Sequence, residues 1–552
     1  MMNQNSQARG RDSGRLAAIG VALTLVGLLV MVAIPGCQRS SDVVVTSTDP
    51  VPESVVPDET GEPAEEAQVV SVPDPAPEPV VPDETEEPAE ETQVVSVPEP
   101  TPEPVTSGET EEPAEEAQVV SVPDPEPEPV APDETRELAV GPQVVEFPDS
   151  ALEAVIRRAI NKPTEDIHDA DLLGLSELNA NNSSIANLEG IQYCLDLTIL
   201  WLYENQIVDI SALSGLSNLD SLGLGTNLIV DISALSGLTN LTGLDLGDNQ
   251  IVDISALSGL TKLTYLALGR NQIVDISALS ELTRLTALDL PYNQIVDISA
   301  LLGMTDLEYL ALGRNQIVDI SALSNMIGLT ALDLTYNQIV DITALSGLSI
   351  LPDLRLANNR IVDISALSGL TNLTALDLTS NQIVDISALS SLTSLDSLGL
   401  GTNLIRDIAA LSSLTQLAGL WLDANEIADI SALSGLVNLE YLALGGNQIV
   451  DISALSGLAS LVELGLAHNQ IVDISALAGL TNLDSLGLGT NQIVDIEPLV
   501  TNAGIDGGDD VDLDDNPLHT LEPGSPNLQA LEILRQRGAS VTYQEDCDTC
   551  GD

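Results

Sequence analysis

His168, His468 and His519 are the only imidazoles in this chain of 552 residues, and they are too scattered to form a catalytic or zinc constellation. No serine recurs with a histidine and a carboxylate at fixed neighbouring positions, and no glycine-rich phosphate loop follows a strand-like run. Cys547 and Cys550 have the spacing of a redox pair. Such a pair needs a following helix to hold the thiolate, and only two residues follow. In an oxidising exterior the expected state is a local disulfide, or a mixed one with a partner. Asp506, Asp509, Asp510, Asp512, Asp514 and Asp515 look like a calcium loop until register is imposed: no Gly or Glu falls where that loop requires one. The expectation is a chain that is not an enzyme and takes no metal and no cofactor.

Two polar columns recur with strict spacing. Asp209, Asp231 and Asp253 open a column that runs every 22 residues to Asp495. One carboxylate per turn is a poor cage for a cation that wants six to eight oxygens. Just before Ile-Ser-Ala-Leu, however, an Asp can cap a short helical turn. The second column runs from Asn205 to Asn491, 14 residues at the same period without a slip. Its amides are expected to turn inward and satisfy backbone groups at a bend.

These columns need an element that repeats. The nonamer NQIVDISAL occurs eight times, and a fixed 22-residue period over fourteen copies means a solenoid. In one unit Ile207, Ile210, Leu213, Leu216, Leu219, Leu222 and Leu224 are the aliphatic positions. Leu222-Gly223-Leu224-Gly225 reads as a short strand with its leucines inward. No single unit can bury so many aliphatics, so stacked units must share one core, worth ~25 cal/mol per Å² removed from water. Cys194 stands where Leu216 stands one unit later and is expected to be a small core residue.

The flanks differ in composition. Arg9, Arg11 and Arg15 precede an apolar run from Leu16 to Ile34, followed by Pro35-Gly36-Cys37. This is similar to a bacterial lipoprotein signal with Cys37 as the lipidated residue, although Pro35 replaces the usual small residue. An uncleaved membrane anchor is the alternative, and either places the rest of the chain outside the cytoplasm. From Asp42 to Phe147 there are 30 acidic residues, one basic residue and 21 of the 30 prolines, with a 25-residue repeat marked by QVVSVPDP and its variants. Proline density and like charge predict an extended, disordered stalk over 38–146. The whole chain carries a net charge of −67, which repels phosphate backbones and makes nucleic acid a poor candidate partner; none is expected.

The pattern LxxLxLxxNxIxDIxxL resembles the bacterial leucine-rich repeats of the internalin type, the SDS22-like class, over residues 147–545. The resemblance implies an α/β solenoid, a horseshoe of about 15–16 turns with a parallel concave sheet, short helical or extended convex segments and helical caps at both ends. On this reading 147–192 form an amino-terminal cap and a degenerate first repeat, 193–500 the regular repeats, 501–545 a carboxy-terminal cap and 546–552 a tail. Ser150 and Glu153 are expected to form a capping box, with Leu152, Val155, Ile156, Ala159 and Ile160 on the buried face of the first helix. Ser525-Pro526 open the closing helix and Gly538 ends it. Two features depart from the pattern: these units carry Ala where internalins usually carry Pro, and the usual carboxy-terminal wall-sorting signal is absent.

The resemblance also implies that the concave sheet binds and does not catalyse. The outward strand positions then nominate Trp201, Tyr203, Asp245, Tyr265, Asp289, Tyr309, Asp333, Arg355, Asp377, Trp421 and Tyr441 as ligand-binding residues. Trp, Tyr and Arg are the residue types that anchor interfaces. Asp245, Asp289, Asp333 and Asp377 fall in alternate units, interleaved with Tyr265 and Tyr309. Arg270 and Arg314, like Tyr292 and Tyr336, keep the same 44-residue beat, which suits duplication of unit pairs as well as selection. The expectation is a monomeric, membrane-tethered binder of a surface protein or of an envelope or host polysaccharide. A passive spacer of the envelope is the alternative.

Overall fold

The computed structural model describes residues 143–518 and 524–543. The expected export signal with Cys37, the acidic stalk, His519 and the Cys547/Cys550 pair lie outside the described residues.

The described chain enters through helix α1 (Ser150–Ala159) and a single turn, α2 (Asp169–Leu172), and then repeats one path. Each pass contributes a three-residue strand: β1 (Glu177–Asn179), β2 (Ile199–Trp201), β3 (Ser221–Gly223), β4 (Gly243–Asp245), β5 (Tyr265–Ala267), β6 (Ala287–Asp289), β7 (Tyr309–Ala311), β8 (Ala331–Asp333), β9 (Asp353–Arg355), β10 (Ala375–Asp377), β11 (Ser397–Gly399), β12 (Gly419–Trp421), β13 (Tyr441–Ala443), β14 (Glu463–Gly465), β15 (Ser485–Gly487), β16 (Asp510–Asp512) and β17 (Ser540–Thr542). They form one 17-stranded sheet in which each strand pairs in parallel with its neighbours in the sequence. The register sets equivalent residues side by side, Leu222 between Leu200 and Leu244. The inward leucines and isoleucines of every unit are fully buried in one continuous core, as are Cys194 and both core methionines, Met304 and Met326.

The Asn column explains why the period cannot slip. Asn249 donates its Nδ2 to the carbonyls of Leu224, Leu246 and Gly247 at 3.0–3.2 Å, and its Oδ1 accepts from the Ile229 amide of the preceding unit. The same set recurs through Asn491, so each buried amide fastens its own bend to the unit before it. The Asp column does cap turns. Asp231 Oδ1 accepts from the Ser233 amide at 2.8 Å as the 3-10 turn Ser233–Leu235 begins, and the pattern repeats at Asp253, Asp275 and onward. These contacts hold the carboxyls of Asp231, Asp253 and Asp275 below their ordinary value. The capping Asp stands one residue ahead of the N-cap, because an isoleucine occupies the N-cap position and points into the core.

The amino-terminal cap corrects the sequence reading. The N-cap of α1 is Asp149, whose Oδ1 accepts from the amides of Ala151 and Leu152; Ser150 is already helical. Asp149 Oδ2 meanwhile accepts from Ala186 and Asn187, so one carboxylate serves both the helix and the first unit. Glu153 turns to Arg157 instead of to the cap. Leu152, Val155 and Ile156 are buried as expected and Ile160 packs against the core, but Ala159 is exposed. At the other end a short helix α3 (Glu497–Thr501) leads to helix α4 (Pro526–Arg537), capped by Ser525 Oγ and ended by Gly538 in the left-handed region at φ 100°. Arg537 donates to the carbonyls of Val500 and Asn502, locking α4 onto α3.

Candidate binding face

Alternation along each strand puts its first and third side chains on the solvent side of the sheet. At one or both of those positions 13 of the 17 strands place Gly, Ala or Ser, and the larger residues use the space this leaves. Trp201 and Tyr203 stack with ring centres 5.9 Å apart and lie over Gly223, where a Cβ would come within 2.3 Å of the Tyr203 ring. Trp201 is thereby buried, with 7% of its surface exposed. Trp421 folds back over Gly419 of its own strand in the same way.

The acidic strip has a local logic. Asp245, Asp333 and Asp377 each accept a hydrogen bond from the amide two residues on, those of Gly247, Thr335 and Thr379, at 2.9–3.0 Å. Asp289 has no such amide, because the residue two positions on is Pro291, which has no N–H. Burial pushes the Asp289 carboxyl up to about 7, and the negative charges of Asp245, Asp333 and Asp248 add to the shift. Burial also raises the phenol of neighbouring Tyr309, with Asp289 and Asp333 working in the same direction. On β9, two strands beyond Tyr309, Arg355 binds Asp353 through Nε at 3.3 Å and Nη2 at 3.0 Å. Asp353 is buried, and its desolvation outweighs the arginine, so its carboxyl is raised too.

The structure therefore brings Asp289, Tyr309, Asp333 and Arg355 into one electrostatic neighbourhood on β6 to β9, with Asp245 and Tyr265 on one side and Asp377 on the other. At a strand spacing of ~4.8 Å, Trp201 and Tyr203 lie roughly 19 Å from Asp289, and Trp421 roughly 29 Å on the far side. Tyr441 lies one strand farther still. The nominated residues are thus a central cluster with aromatic outliers. Asp353 was missed as a member of this cluster; the signal for it was an opposite charge two residues from Arg355, on the same face of a strand. Among the described residues no group of three or more His, Cys, Asp and Glu is arranged to hold a metal ion. Nor is any described helix long and apolar enough to cross a membrane.

Two family models match the chain. One, described as leucine-rich repeats in two copies, matches residues 195–237, 239–281, 353–391, 371–413 and 459–501; the other, a leucine-rich repeat, matches 283–339 and 428–471. Together they cover about half of the chain. Among solved structures the chain is similar to an internalin (inlF) from Listeria monocytogenes, with 38% identity and a TM-score of 0.58, over 60% of this chain and 99% of that one. An LRR protein from Leptospira interrogans shares the fold at 21% identity and a TM-score of 0.60, over 68% of this chain and 97% of that one. The functional domain of InlJ from Listeria monocytogenes does so at 24% identity and a TM-score of 0.52, over 67% and 81%. No curated protein matches the chain.

Proposed function

Because the chain belongs to the leucine-rich repeat proteins, and its repeats are of the internalin type, we propose that it is a non-enzymatic binding module working outside the cytoplasm. Residues 1–37 tether it to the membrane, through lipid on Cys37 or through an uncleaved anchor, and the acidic segment that follows holds the solenoid away from the bilayer. The sheet face recognises a surface protein or an envelope or host polysaccharide. The observation that carries this reading is the central cluster. The fold tolerates small residues at outward strand positions, as β11 and β15 show with Ser397, Gly399, Ser485 and Gly487. In β6 to β9 the same positions hold half-buried carboxylates, a buried-leaning tyrosine and an ion pair, all of which cost desolvation free energy. Groups held in so unfavourable a state cluster at functional sites.

The near-identity of the units supports a second reading, a passive spacer whose repeat number sets its length. Point substitution separates the two. The full chain and a Tyr265→Ala, Tyr309→Ala, Trp421→Ala variant are used as baits for envelope fractions and host-surface extracts. The binding reading expects a species retained by the first bait and lost by the second. Equal retention by both baits, or none by either, would leave the sheet passive and favour the spacer.

A further inference from the structure

Immediately before each Asn of the column the backbone is left-handed, and most units fill that position with a short residue, such as Thr226, Ser380, Thr402 or Ala424. Four consecutive units in the middle depart from this. Arg270, Tyr292, Arg314 and Tyr336 stand there at φ between 54° and 56°. Left-handed backbone disfavours any residue with a Cβ, and the other units close the same bend without an arginine or a tyrosine.

The four side chains form a ladder. The Arg270 guanidinium lies 4.2 Å from the Tyr292 ring centre, and that of Arg314 lies 4.9 Å from Tyr292 and 3.9 Å from Tyr336. The backbone holds them in step, with the Arg270 amide donating to Pro291 O, Tyr292 to Gly313 O, Arg314 to Thr335 O and Tyr336 to Ala357 O, all at 2.7–2.9 Å. At ~4.8 Å per unit the array is roughly 15 Å long and its two arginines are roughly 10 Å apart. Acidic residues outnumber basic ones 84 to 17 in this chain. Even so, Arg270 has only Asp248 at 3.7 Å, and Arg314 makes no ion pair among the described residues.

What this ladder can bind follows from what it has used. Two guanidinium groups already lie against the Tyr292 ring and one against that of Tyr336, so the rings are poor platforms for stacking a sugar. Tyr292 is still 40% and Tyr336 45% exposed, and the array's remaining capacity is in guanidinium N–H and phenol O–H donors. Planar guanidinium donors match carboxylates, and stacking on a ring fixes their orientation in advance. A polyproline II segment advances ~3.1 Å per residue, so carboxylates three residues apart stand about 9 Å apart, close to the arginine spacing.

We propose that Arg270, Tyr292, Arg314 and Tyr336 form a docking strip, separate from the sheet-face cluster, for an extended acidic segment of a partner protein carrying a carboxylate at every third residue. The probe is a synthetic peptide of four Glu-Pro-Pro triplets, with Gln-Pro-Pro triplets and polygalacturonate as comparisons, titrated into the full chain at low and moderate salt. The Glu peptide should bind and weaken with salt, and the Gln peptide should not bind. Arg270→Gln with Arg314→Gln should lose at least tenfold in affinity with an unchanged melting temperature. Arg284→Gln, at an exposed arginine in the turn before β6 and outside the strip, and Tyr265→Ala with Tyr309→Ala should bind as wild type, which keeps this test independent of the sheet-face reading. The proposal is overturned if the double arginine variant binds the Glu peptide like wild type, or if no Glu peptide binds. It is also overturned if polygalacturonate alone binds through the arginines, which would assign the strip to an acidic glycan.

Discussion

At position 291 a proline removes the amide that Asp245, Asp333 and Asp377 each use, and Asp289 is left as the carboxyl pushed up to about 7. Its folded value lies above the ordinary 3.8, so the folded state keeps the proton longer than the unfolded chain does. The stability it contributes is full below about pH 4 and declines as pH rises through 7. Asp289→Asn is neutral at every pH and should gain on wild type by roughly 1–2.5 kcal/mol between pH 5 and pH 8, the range allowing for partial solvent access. Denaturant titrations at the two pH values measure this, and parallel pH slopes for the two proteins would refute the assignment. Part of this was legible in advance, since Asp-Leu-Pro at 289–291 differs visibly from Asp-Leu-Thr at 333–335. The burial that turns a missing hydrogen bond into a raised pKa was not, because it depends on what Tyr309 and the neighbouring strands do above the sheet.

At the scale of elements, the caps show where local pattern suffices. Ser525-Pro526 and Gly538 bound α4 as the sequence predicts, because N-cap, proline and left-handed glycine act through adjacent residues alone. Helix α1 also begins with a Ser-x-x-Glu pattern, yet Asp149 takes the cap one residue earlier. It prevails because its second oxygen binds Ala186 and Asn187, and that link spans 37 and 38 residues. Burial alone would raise the Asp149 carboxyl, but its four backbone donors outweigh it and leave the group below the ordinary value. Asp149→Ala should therefore cost about 2 kcal/mol and loosen α1 together with the first unit. Hydrogen exchange would show faster exchange of the amides of 150–160 and 185–190, whereas Ser150→Ala should leave both unchanged. Equal effects of the two substitutions would restore the serine as the cap.

As a whole, the described solenoid is a stack of nearest-neighbour contacts, and that level was the most legible of all. A 22-residue period, an inward aliphatic set that leaves out Val208 and its equivalents, and one buried Asn per turn define the solenoid; those valines do stand about half-exposed. Repetition also hides function, since units that differ at only a few outward positions carry little record of a ligand. The sheet-face cluster is a claim about which units matter, and in a repeat protein whole units can be removed in register. Deleting 271–314 takes out Asp289 and Tyr309, together with Tyr292 and Arg314 of the docking strip, and joins Arg270 to Asn315; deleting 447–490 removes as many residues from a plainer region and joins Gly446 to Asn491. Both products should fold, as circular dichroism and a cooperative melt would verify. The most direct measurement is then the binding of each to a species captured by the full chain. Loss of binding only on deletion of 271–314 is the predicted result. Retention by both, or an equal decline that follows length alone, would contradict a ligand site on the central strands.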